Sequence, residues 1–150
     1  MERPDLDDIP SFPLPESFRI RTYDPGDEAH WYDIHLEADK LSDIAEDLFT
    51  AEFGSDRDEL AKRQFYLCHG ENIVGTATAW HGRDYKDGSY GRVHWVAIRP
   101  AYQGRGFSKP LMSEVLQALR CLDHRRAYLT TSRRRPVAIA LYKSFGFVRV

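Results

Sequence analysis

The chain has 150 residues, of which 42% are hydrophobic and 29% are charged. These values are typical of one globular domain, and no apolar run approaches the roughly 20 residues that span a bilayer, so we expect no membrane partner. The first 16 residues are acidic and contain four prolines, without the apolar core of a secretory signal. We therefore expect an N-terminal arm over residues 1–16, extended or disordered, followed by one domain over residues 17–150.

The net charge of −2 conceals a strong asymmetry between the two parts of the chain. Residues 1–90 contain 9 Lys and Arg against 21 Asp and Glu, whereas residues 91–150 contain 12 against 2. A basic segment favours an anionic ligand and an acidic segment favours a cationic partner, although both can serve only to solvate a surface. Nucleic-acid binding usually needs a wider basic face with interleaved aromatic residues, so we expect none. The two cysteines are expected to be free thiols in a reducing cytoplasm.

In the first half of the chain, the hydrophobic pattern changes from a period of two to helical spacing. The predicted elements are a strand over Phe18–Tyr23, a turn over Asp24–Asp27, a helix over Ala29–Ala38, helical spacing over Ile44–Phe49 and a short helix over Asp56–Arg63. His30 and His35 are five residues apart, which does not place them on one helix face, and we expect no metal site.

The second half of the chain alternates strands with helices. The predicted elements are strands over Phe65–Cys68 and Ile73–Trp80, a buried strand over Val93–Ile98, a helix over Leu111–Leu122, a strand over Ala127–Thr131, a helix from Pro136 that stops at Gly146, and a last strand over Phe147–Val150. The first two strands form a hairpin and are antiparallel, whereas the strand–helix–strand unit that follows requires parallel strands. The sequence therefore predicts a mixed α/β fold, with a partly antiparallel central sheet flanked by helices.

A glycine-rich segment, Gln103–Lys109, connects the buried strand to the next helix. Glycines allow the backbone to approach a ligand closely, and the first turn of a helix presents unpaired N–H groups to an anion. Arg105 and Lys109 add positive charge to this segment. The spacing excludes a Walker loop and does not complete a dinucleotide fingerprint. The segment is thus interpreted as a phosphate-binding turn, with a plain strand–helix connection as the alternative.

The same segment carries a family resemblance. Residues 96–112 resemble the pyrophosphate-binding segment of the GNAT superfamily of N-acetyltransferases, whose signature is Q/R-x-x-G-x-G/A. The chain has Gln103 and Gly106 at two signature positions and Ser108 in place of the final Gly or Ala. A second segment, residues 136–147, resembles the A-x-x-L-Y-x-x-x-G-F ending of the family, with Arg135 where an Asn often stands. The resemblance covers about residues 18–150 and implies the acyl-CoA N-acyltransferase fold, with acetyl-CoA as cosubstrate.

The resemblance also implies which residues contact acetyl-CoA. Backbone groups of the fourth family strand would hold the pantetheine arm and polarise the thioester carbonyl, since fixed N–H donors stabilise a developing oxyanion. Backbone N–H groups of the glycine-rich segment would hold the pyrophosphate. The residues expected to bind the cosubstrate are Val96, Ala97, Ile98, Gln103, Gly104, Arg105, Gly106, Phe107, Ser108 and Lys109.

Two residues are expected to be catalytic. Tyr142 matches the family tyrosine near the CoA sulfur, and its phenol is suited to protonating the departing thiolate. Residues 88–99 contain no carboxylate, so His94 is the candidate general base; water relayed through the backbone or Ser132 is the alternative. A structural role is also open for both residues. Residues 133–135, three consecutive arginines, would contact the CoA 3′-phosphate or a polyanionic acceptor, or form a solvated loop.

The expected function is direct transfer of an acetyl group from acetyl-CoA to a primary amine. In this family the first helices usually help to build the acceptor region, and here they are acidic, as at Glu37 and Asp39. We therefore expect a cationic small molecule or a peptide as acceptor. The alternative is a non-catalytic CoA-binding or interaction domain with the same fold. Only three residues follow Phe147, so the C-terminal strand pair is expected to be short, and either a homodimer partner completes the sheet or the domain is truncated or minimal.

Overall fold

The computed structural model describes residues 1–150 and contains one mixed sheet and five α-helices. The strands are β1 (Glu2–Arg3), β2 (Phe18–Thr22), β3 (Gln64–His69), β4 (Asn72–His81), β5 (Tyr90–Ile98) and β6 (Arg126–Tyr128). The helices are α1 (Asp27–Ala38), α2 (Leu48–Phe53), α3 (Arg57–Arg63), α4 (Ser108–Cys121) and α5 (Pro136–Ser144). The strand order is β1-β6-β5-β4-β3-β2; β5 and β6 are parallel and all other neighbours are antiparallel. The predicted fold class is confirmed.

The sheet has a hydrophobic core on each face. On one face α4 covers the sheet with a helical stripe of fully buried side chains, which includes Leu111, Val115 and Leu119. On the other face α1 and α2 bury Trp31 and Phe49 in a separate, largely aromatic cluster. Each such side chain contributes about 1.5–3 kcal/mol through removal of apolar surface from water. None of the helices is long and apolar enough to cross a membrane.

The N-terminal arm lies extended against the domain and begins with a strand that the sequence pattern did not predict. Glu2 and Arg3 pair with β6, and the amino group of Met1 donates a hydrogen bond to the carbonyl of Leu129 at 3.0 Å. Leu6 is buried in the α4-side core. A strand of two residues is too short to show an alternating pattern, so only the tertiary contacts reveal it.

The prediction of a last strand over Phe147–Val150 was wrong. The structure has a single antiparallel bridge there, in which Val148 pairs with Glu2. Strand β1 lies beside β6 and is only two residues long. It therefore cannot form a longer ladder with the residues around Val148.

Several other element boundaries differ from the predicted ones, and a physical reason can be given for two of them. Helical structure was expected over Ile44–Phe49, whereas α2 begins at Leu48, because the buried pair is Phe49 and Phe53, four residues apart, while Ile44 is only half-buried. The strand expected over residues 127–131 ends at Tyr128, where the chain diverges from β5.

Candidate active site

A large cleft opens where two neighbouring strands separate. The parallel ladder between β5 and β6 ends at the pair Arg92–Tyr128, although β5 continues to Ile98. The resulting cavity has a volume of about 1080 Å³. Its walls are the second half of β5, residues 129–132, the glycine-rich segment and α5. Ligands of open α/β sheets commonly bind in such a crevice.

A β-bulge shapes the wall that β5 contributes. Thr76 of β4 pairs with Ala97, but Thr78 pairs with His94, so β5 contains one extra residue at this point. Trp95, within the bulge, has a φ of 52°, which is uncommon for a residue with a side chain. The bulge interrupts the ladder beside Val96, which lines the cleft together with Ala97 and Ile98.

The glycine-rich segment forms a tight turn at the start of α4. Gly104 and Gly106 have φ values of 74° and 82°, in the region that glycine adopts without strain. The backbone N–H groups of residues 104–108 make none of the backbone hydrogen bonds of the chain. Five successive free donors at a helix N-terminus are suited to binding an anion such as a phosphate.

The side chains of this segment have different positions. Gln103 donates a hydrogen bond to the carbonyl of Ile98 at 2.8 Å, which ties the segment to the end of β5. The side chain of Lys109 lies at the cleft. Nine of the ten residues expected to bind the cosubstrate line the cleft; the exception is Arg105, whose guanidinium lies over the ring of Phe107 at 5.0 Å.

Tyr142 lies on α5 and lines the same cleft. It is 9% exposed. Burial raises the pKa of the Tyr142 phenol, and the positive charge of Arg135 only partly offsets this effect. The hydroxyl has no hydrogen-bond partner in the chain and remains protonated at neutral pH, so it is available as a proton donor.

His94 is buried on β5 and lines the cleft. Its Nε2 lies 3.3 Å from Oε2 of Glu52, which belongs to α2. Burial and the charge of Arg92 lower the pKa of His94 to about 4, although Glu52 acts in the opposite direction. His94 is therefore neutral at physiological pH. Sequence reasoning missed Glu52 because 42 residues separate it from its partner.

A second histidine, which was not expected at the site, also lines the cleft. His35 of α1 is 1% exposed, and its ring centroid lies 5.2 Å from that of Trp95 at the bulge. Burial lowers the pKa of His35 to about 4. The helical spacing of His35 with the buried Trp31 is the signal that indicates its orientation towards the sheet.

An ion pair joins the loop after α1 to the loop before α5 at the cleft. Nη2 of Arg135 donates to Oδ1 of Asp39 at 2.9 Å and to the hydroxyl of Ser42 at 3.2 Å. Asp39 is the one carboxylate among the cleft-lining residues. Ser132, the alternative proton relay, lines the cleft and accepts a hydrogen bond from the backbone N–H of Arg134.

The fold corresponds to that of a known protein family. The family model described as Acetyltransferase (GNAT) family matches residues 17–147. The chain belongs to the GNAT family of acetyltransferases.

Several known proteins are similar to the chain. Mycothiol acetyltransferase of Thermobispora bispora is 30% identical over 166 residues, which cover 99% of this chain and 52% of that protein. The chain spans about half the length of the curated relatives it matches along its whole extent. The N-alpha-acetyltransferase RimI of Mycobacterium tuberculosis is 41% identical over 58 residues, 39% of this chain and 35% of that protein. The crystal structure of the ribosomal-protein-S18-alanine N-acetyltransferase from Escherichia coli superposes with a TM-score of 0.71 at 20% identity and covers 89% of this chain and 79% of that one.

Proposed function

We propose that the chain is an acetyl-CoA-dependent N-acetyltransferase that transfers the acetyl group directly to a primary amine of a small molecule or a peptide. The observation that carries the proposal is the set of free N–H groups at residues 104–108, in one cleft with a bulged strand and a buried tyrosine. On its own, a helix N-terminus with free N–H groups indicates only that an anion can bind there. In one cleft of a GNAT chain, these features fit the phosphate end and the reacting end of acetyl-CoA.

The residues present fit this cosubstrate. Residues 104–108 and Lys109 supply backbone donors and one positive charge for the pyrophosphate. Val96, Ala97 and Ile98 supply backbone groups for the pantetheine arm, and the bulge leaves room beside them. When bound, acetyl-CoA supplies an activated acetyl group.

Tyr142 is the proposed general acid. Its raised pKa keeps the proton on Oη in the free protein. A general acid of this kind typically contributes a factor of about 10²–10⁴ to the rate. Because its hydroxyl is bonded to no other residue, the proton can be given to the departing thiolate without the loss of a structural hydrogen bond.

Glu52 and His94 together form the proposed general base. A carboxylate only accepts hydrogen bonds, so Nε2 of His94 carries the proton in the contact with Glu52 and Nδ1 retains the lone pair. Nδ1 can then take a proton from the attacking amine, while Glu52 stabilises the imidazolium that forms. The pKa of about 4 in the free protein means that this base needs no deprotonation of its own at physiological pH.

The charge around the base supports an acceptor that is cationic at its reacting end. Glu52, beside His94, attracts an ammonium group through its carboxylate. Asp39 contributes less, because Arg135 already neutralises it. Other acidic residues of the first helices are paired elsewhere, as Glu37 is with Arg99 at 2.7 Å.

The proposal is tested by mixing the protein with acetyl-CoA and a panel of primary amines and following release of the CoA thiol. We expect steady release with at least one amine. The variant Glu52→Gln should lower kcat/KM by about 10- to 100-fold, because it removes the charge that supports the base, whereas the exposed Glu46→Gln is the matched control. A protein that binds acetyl-CoA and releases no CoA with any amine would be a non-catalytic binding domain.

A further inference from the structure

Arg92 is a half-buried cation of the cleft whose side chain forms no hydrogen bond or ion pair within the chain. Its Nε is buried and unpaired. The guanidinium lies over the ring of Tyr128, with its Cζ 5.6 Å from the ring centroid. By contrast, Arg135 in the same cleft is paired with Asp39. A partly buried guanidinium with unused donors is costly unless an anion completes it.

The position of Arg92 excludes the phosphates of the cosubstrate as that anion. Arg92 precedes Ile98 by six strand residues, and the phosphate-binding turn begins beyond Ile98. At 3.2–3.4 Å per residue, Arg92 and the start of the phosphate-binding turn are separated by about 20 Å. The pyrophosphate and Arg92 are therefore at opposite ends of β5.

Arg92 is instead close to the reacting end of the acceptor. It precedes His94 by two residues, in the regular part of β5 before the bulge. There Arg92 pairs with Trp80 of β4, and His94 pairs with Thr78. Alternate residues of a strand have their side chains on the same face of the sheet. Because a strand rises about 3.3 Å per residue, the Cα atoms of Arg92 and His94 are about 6.6 Å apart. The charge of Arg92 is near enough to lower the pKa of His94.

Resting on the proposed function, we propose that the acceptor carries a carboxylate close to its amine, as an α-amino acid does, and that Arg92 binds this carboxylate. His94, with the charge of Glu52 beside it, then receives the ammonium end, while the planar guanidinium receives the carboxylate in a bidentate contact. Each charge of the substrate then lies near an opposite charge of the protein. The buried, unpaired Nε of Arg92 donates a hydrogen bond to the substrate carboxylate.

The test compares matched amines on the full chain: α-amino acids, their carboxamides, and ethanolamine with its phosphate ester. The kcat/KM values are corrected for the fraction of free amine. We expect the amino acid to exceed its carboxamide by about 10- to 100-fold, the range of a charge-assisted hydrogen bond. Arg92→Gln should abolish this preference, because it raises the KM of the amino acid. It should leave the KM of acetyl-CoA unchanged. Arg92→Lys should restore part of the preference.

Arg120→Gln is the matched control, since Arg120 is exposed in the last turn of α4 and makes no side-chain contact with the cleft. Equal turnover of acid and carboxamide, an equal loss of both in Arg92→Gln, or a preference for the phosphate ester over all carboxylates would overturn the proposal. Binding of the N-acetylated acid and carboxamide to CoA-loaded protein measures the same preference without turnover. A preference for the acid that Arg92→Gln removes, in a protein without transferase activity, would therefore contradict the proposed function alone.

Discussion

The variant Tyr142→Phe separates a catalytic tyrosine from a structural one. The substitution removes one hydroxyl and leaves the ring of a residue that is 9% exposed and lines the cleft. Loss of a buried hydroxyl costs about 0.5–1.5 kcal/mol where it breaks a hydrogen bond. Here the Tyr142 hydroxyl has no partner in the chain, so the free energy of unfolding should change by less than about 0.5 kcal/mol.

The effect on catalysis should be much larger. Removal of a general acid should lower kcat by about 10²–10⁴, which corresponds to about 3–5 kcal/mol of transition-state stabilisation. Steady-state release of CoA measures kcat, and urea unfolding measures stability on the same preparations. Undiminished kcat, or a parallel loss of stability and activity, would refute the assignment of Tyr142 as the acid.

Two further predictions concern the buried histidines and the phosphate-binding turn. The pKa values of His35 and His94 are each lowered from 6.5 to about 4 by burial, so the unfolded chain binds more protons below pH 6.5; stability should be fully present above pH 6.5 and should fall by about 3 kcal/mol per histidine as the pH approaches 4. Unfolding of His94→Gln over this range should lose about 3 kcal/mol of the pH dependence of the unsubstituted chain, and an unchanged pH dependence would contradict the burial argument. Gly106→Ala should raise the KM of acetyl-CoA by roughly tenfold, because a φ of 82° costs a residue with a Cβ about 1–2 kcal/mol and distorts the turn. The control Gly70→Ala imposes similar strain at the hairpin, at a φ of 58°, and should leave that KM unchanged.

The parts of the fold that sequence reasoning predicted are those with local signals. The hairpin, the amphipathic α4 and the turn at Gly104 and Gly106 each depend on residues close together in the chain, and the structure has all three. Strand β1 was not predicted, because a two-residue strand has no period. The last strand was predicted wrongly, because the residues after Phe147 have a suitable composition but meet only Glu2 as a partner.

The candidate site shows the same division. The residues expected to line the cleft could be placed by motif spacing, since a strand, a turn and a helix follow one another directly. The contacts of Glu52 with His94 and of Asp39 with Arg135 join residues 42 and 96 positions apart, and no local pattern indicates such pairs. The unpaired state of Arg92 is likewise a property of the folded chain, because only the structure shows that no carboxylate reaches it.

The most direct test of the proposed N-acetyltransferase activity is to measure both products of one reaction mixture. Acetyl-CoA, the protein and an α-amino acid panel are incubated together, and the CoA released and the N-acetylated amine formed are quantified by mass spectrometry. We expect one N-acetylated acceptor for each CoA released. Release of CoA without an acetylated amine, or firm binding of acetyl-CoA with no release, would contradict it.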